Sequence, residues 1–79
     1  GGTGGRDNEG DESKVTAHVK GQFRNVKGLD SLDIKVMTEN GVVTLSGDVD
    51  NQSQSALAEQ SAKQVEGVKG VVNTLRVRD

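Results

Sequence analysis

Hydrophobic positions divide this chain into five patterned stretches. Val15, Val19, Phe23 and Val26 recur at spacings of four, four and three, which marks one buried face of a helix. This helix is expected to begin near Asp11, where Asp11 can cap it and Glu12 adds negative charge at its positive end, and to stop at Gly28. Gly21 falls on its outer side.

Two alternating stretches follow, Ile34 to Glu39 and Val42 to Val49, joined by Asn40-Gly41, the pair favoured in a two-residue type I′ hairpin turn. Counting outward from the turn sets Glu39 against Val42, Thr38 against Val43, Val36 against Leu45, Ile34 against Gly47 and Asp33 against Asp48. Ile34, Val36, Val43, Leu45 and Val49 then share an apolar face, and Lys35, Glu39, Thr44, Ser46 and Asp48 share the polar one. Gly47 on the apolar face is expected to leave room for a helix passing over it.

A second helix is expected after Asn51 and Gln54, which have the spacing of a capping box, with Leu57, Ala58, Ser61, Ala62 and Val65 along one stripe. Its small residues favour close packing on a sheet, and Glu66-Gly67 is expected to end it. Val71 to Val77 reads as a last strand, with Val71, Asn73, Leu75 and Val77 on one face. A strand-helix-strand connection closes in the right-handed parallel sense, so this strand should lie parallel to the second. The sum is an α+β fold of order αββαβ, with two helices on one face of a three-stranded mixed sheet.

Residues 1–10, GGTGGRDNEG, contain five glycines and no hydrophobic residue, and are expected to be a flexible Gly-rich linker or an appended remnant ahead of a single domain over residues 11–79. At 79 residues there is room for one core. Phe23 is the single aromatic residue, so that core must rest on Val, Leu, Ile and Ala.

The absence of cysteine removes disulfides and thiolate chemistry, and a net charge of −2 argues against a nucleic-acid partner. The one histidine, His18, borders the apolar face of the first helix without a second ligand or a nucleophile beside it. No catalytic residue and no cofactor is expected. Asp30, Asp33, Asp48 and Asp50 gather near the open end of the hairpin and read as solvated carboxylates, with Asp33 and Asp48 the candidates for a weak cation site. Lys20, Arg24 and Lys27, at spacings of four and three beside Phe23, form a basic stripe that suits an anionic membrane surface or a partner.

Gly41-Val42-Val43-Thr44-Leu45-Ser46-Gly47-Asp48-Val49, the Ala-rich helix and Val65-Glu66-Gly67-Val68-Lys69-Gly70-Val71-Val72-Asn73 together resemble the BON domain, the bacterial osmotically inducible and nodulation domain family. The resemblance runs from about Asp11 to Asp79. It implies a non-enzymatic module of the bacterial cell envelope, periplasmic or associated with the outer membrane, tied to osmotic stress and contacting phospholipid. Two alternatives stand beside it: a structural or protein-interaction module of a larger envelope protein, using an edge strand or the open sheet face, where Met37, Val42 and Val72 lie among polar residues, or weak potassium or calcium binding. In isolation the domain is expected to be monomeric.

Overall fold

The structure, a computed structural model, describes residues 3–78, with side chains from Glu12 onward. The first helix, α1, spans Thr3–Arg24. It therefore starts upstream of Asp11, and Asp11 lies within the helix and not at its cap. Of the expected linker, residues 1 and 2 lie outside the described residues. Glu12 takes a different part from the one expected: its carboxylate accepts the backbone N–H of Asn40 at 2.7 Å, tying α1 to the hairpin turn.

Val15, Val19 and Phe23 are buried along α1, as the spacing predicts, and Val26 packs against the same core. The helix ends at Arg24, short of Gly28. Beyond it the chain winds on in tighter three-residue turns, with Val26 N–H bonded to Phe23 O, Leu29 N–H to Val26 O and Leu32 N–H to Leu29 O. Val26, Leu29 and Leu32 are three apart, so this tighter winding turns all three towards the core. Leu29 becomes one of its largest fully buried side chains.

The hairpin strands β1 (Lys35–Glu39) and β2 (Val42–Ser46) pair antiparallel in the expected register, Glu39 with Val42, Thr38 with Val43 and Val36 with Leu45. Asn40 and Gly41 have φ of 53° and 83°, both left-handed as the type I′ turn requires. The ladder stops at Lys35 and Ser46, because the chain breaks direction at Gly47 before a short strand β3 (Asp48–Val49). Gly47 has φ of 123°, and a Cβ there would lie 2.9 Å from the Asp33 carbonyl oxygen and 3.7 Å from Ile34 Cα. The close neighbour is thus the backbone leading into β1 and not a passing helix. The same break removes Asp48 from the expected pairing with Asp33.

The second helix, α2 (Gln52–Lys63), is capped by Asn51, whose side chain accepts the Gln54 N–H at 2.9 Å. Gln54 completes the exchange one residue upstream of the cap, accepting the Asp50 N–H at 2.6 Å, and its amide nitrogen donates to Gly28 O at 3.2 Å. The buried face consists of Ser55, Ala58, Ser61 and Ala62, with Val65 beyond the helix end. Leu57 is exposed, contrary to its place in the expected stripe. One residue is about 100° of helix turn, so Leu57 is rotated away from the Ala58 direction that faces the core. The helix stops at Lys63 with Gln64 as its C-cap, and Gly67, expected to be the cap, instead makes a later turn with φ of 96°. A Cβ at Gly67 would meet Val15 Cγ2 at 2.9 Å, so α1 passes directly against this turn.

The last strand is two segments, β4 (Gly70–Asn73) and β5 (Arg76–Val77). Both run parallel to the β2–β3 strand, Val42 opposite Gly70 and Asp48 opposite Arg76, so the offset is unchanged across the break. Thr74, Arg76 and Arg78 N–H groups donate to Leu45, Gly47 and Val49 carbonyls at 2.9, 2.9 and 2.8 Å. The kinks at Gly47 and at Thr74-Leu75 therefore match one another. Asn73 fixes the second kink, its side-chain oxygen Oδ1 accepting the Leu75 N–H at 2.9 Å. The sheet order is β1-β2-β4, with the β3–β5 pair carried on from it, and the core of Val36, Val43, Leu45 and Val49 lies between the sheet and both helices. Val77 lies outside this core, exposed beyond the kink.

Candidate functional site

The candidate basic residues meet at the carboxyl end of α1. Lys20 and Arg24 are one helical turn apart and both exposed, whereas Phe23 between them is only 5% exposed and belongs to the core. Lys27 is exposed as well, but it follows the helix end and is carried by the three-residue turns. Lys20, Arg24 and the rim of Phe23 line a groove of about 240 Å³, closed on its other side by Leu29, Asp30, Leu32, Asp33 and Ile34. Lys27 is not part of its lining. Among the described residues the ion pair is Lys63 with Glu59 at 3.2 Å, so the three cations are free of carboxylate contacts at that range.

Asp33 lies in this groove beside the cations, while Asp48 is the ladder partner of Arg76. The four aspartates are thus not one ligand set. Among the described residues no group of three or more His, Asp or Glu side chains is placed to hold a metal ion.

A larger groove of about 540 Å³ opens at the hairpin-turn end, lined by Glu12, Lys14, Val15, His18, Asn40 and Lys69 among others. His18 is exposed there. Beside the groove, the Thr16 and Thr38 hydroxyls are hydrogen-bonded at 2.7 Å, a second tie between α1 and β1. Neither the Glu12–Asn40 nor the Thr16–Thr38 contact has a periodic signal in the sequence, because each pairs polar residues more than twenty positions apart.

Opposite the helices the sheet has an uncovered face. Met37 is 68% exposed, Val72 47% and Val42 38%. Met37 pairs with Thr44 and Thr44 with Val72, so two of the three apolar side chains lie in one row across the sheet.

The fold is a small αββαβ domain, and the BON domain family model matches residues 11–79. The chain belongs to that family. It is similar to "Osmotically-inducible protein Y" of Escherichia coli (strain K12), with 46% identity over 69 residues, covering 87% of this chain and 34% of the relative. The chain therefore spans about a third of the length of that relative. Among the described residues no helix is long and apolar enough to cross a membrane.

Proposed function

We infer that the domain is a non-enzymatic module of the bacterial cell envelope, acting in osmotic stress by docking on anionic phospholipid through Lys20, Arg24 and Lys27. Membership of the BON family and the similarity to an osmotically inducible protein support the setting. The observation that carries the contact is the exposure of three cations at one end of α1, each outside the ion pair of the described residues. Each such residue near an anionic surface contributes about 1 kcal/mol, so the three together supply at most about 3 kcal/mol of salt-sensitive attraction, reduced by the Asp30 and Asp33 carboxylates that line the groove beside Lys20 and Arg24. Burial of Phe23 makes the contact electrostatic, without an aromatic wedge in the bilayer. A periplasmic or outer-membrane location follows from the same reading.

Cosedimentation with vesicles tests it. Binding to vesicles containing phosphatidylglycerol should weaken as salt rises and vanish in the Lys20→Glu, Arg24→Glu double variant. Equal binding by that variant, with its fold retained, would remove this surface from consideration. The protein-interaction alternative attaches to the opposite side of the molecule, where Met37, Val42 and Val72 are exposed.

A further inference from the structure

The uncovered sheet face is patterned along the strands as well as across them. The central row is Met37, Thr44 and Val72. One step towards the hairpin turn lie Glu39, Val42 and Gly70, and one step the other way Lys35 pairs with Ser46. Lys35, Met37 and Glu39 are all exposed. Lys35 and Glu39 are four residues apart on an extended strand, about 13 Å, which is too far for them to pair with each other.

We propose that this face docks a second copy of the same chain, face to face about a two-fold axis running along the Met37–Thr44–Val72 row. Such an axis reverses strand direction while keeping β1 over β1. It lays Met37 on Met37 and Val72 on Val72, and sets Lys35 of each copy against Glu39 of the other, giving two intermolecular ion pairs. A two-fold axis along the strands would instead set β1 over β4, leaving Lys35 and Glu39 facing uncharged residues. Charge complementarity therefore selects the first arrangement, which is isologous, as a closed dimer requires.

The footprint fixes the strength. Three strands about 4.8 Å apart, two of them five residues long and one four, present a face of only about 250 Å², well short of the roughly 800 Å² per partner of a stable complex. The association is weak and reversible, and departs from the monomeric state expected from the sequence only at high concentration or when copies are tethered together. It uses the side of the molecule opposite α1 and stands independently of the lipid contact.

Amide NMR spectra recorded from tens of micromolar to millimolar protein test the proposal. Concentration-dependent shifts should concentrate at Lys35, Met37, Glu39, Thr44 and Val72 and spare Lys20 and Arg24. Lys35→Glu alone, or Glu39→Lys alone, sets like charges opposite each other and should abolish the dependence, and the double exchange should restore it. All three variants alter exposed positions and should keep the dispersed spectrum of the folded domain. Shifts that stay constant across the series, or single reversals that change nothing, would overturn self-docking and leave the face to a partner of different sequence.

Discussion

Asn73 is bound to Ser55 twice over: its side-chain amide donates to the Ser55 carbonyl at 3.1 Å and to the Ser55 hydroxyl at 3.0 Å. The same amide reaches Glu59 Oε1 at 3.2 Å, while its oxygen holds the Leu75 N–H. One side chain thus fastens α2 to the last strand and shapes the kink between β4 and β5. Asn73→Ala should cost about 1–3 kcal/mol, because it orphans partly buried polar groups on both elements. Urea denaturation checks this, and an unchanged midpoint would show that water replaces the amide.

The Asn73 contact first and hydrogen bonding to Lys63 next hold the Glu59 carboxyl below its ordinary value of 4.5, against an opposing effect of desolvation, with the charge of Lys63 adding to the lowering. A depressed carboxylate contributes stability that is present above the ordinary value and is lost as pH falls through the folded value. The stability gap between the native chain and Asn73→Ala should therefore be full near neutrality and narrow below pH 4.5. Parallel urea titrations at neutral and acid pH would show it, and a gap that widened in acid would contradict the assignment.

Gly47 is poorly replaced by any residue with a Cβ. Alanine there meets both an unfavourable φ of 123° and the Asp33 carbonyl oxygen at 2.9 Å, which is backbone and does not yield easily. A loss of about 2 kcal/mol or more is expected, a large part of the roughly 5 kcal/mol available to a domain of this size. Thermal unfolding followed by circular dichroism measures it.

Leu45 and Leu57 provide a matched contrast. Leu45 is fully buried beneath both helices, so Leu45→Ala should cost about 2–5 kcal/mol. Leu57 is 40% exposed, and Leu57→Ser should cost only about 1 kcal/mol. Comparable losses at the two sites would mean that α2 is rotated from the orientation described.

The fold was legible in the sequence where period and turn chemistry acted together. Asn40-Gly41 set the hairpin register residue by residue, and the buried face of α1 followed from Val15, Val19 and Phe23. What escaped depended on geometry with no period: Leu29 enters the core through three-residue turns, Leu57 leaves it because the small residues beside it decide how α2 settles, and Asn73 reads as one more strand residue until its partners on α2 are in place. At the candidate site, Lys20 and Arg24 could be read from their helical spacing. The burial of Phe23, and the placing of Asp30 and Asp33 across the groove, required the chain to be folded, since they arise from the winding after Arg24.

The lipid contact is the central claim, and amide NMR with phospholipid micelles addresses it most directly. Anionic lipid should move the amides of Lys20, Arg24 and Lys27 and their neighbours, salt should reverse the effect, and zwitterionic lipid should leave the spectrum unchanged. An unresponsive α1 with anionic lipid, or equal shifts with both lipids, would contradict docking by these three cations.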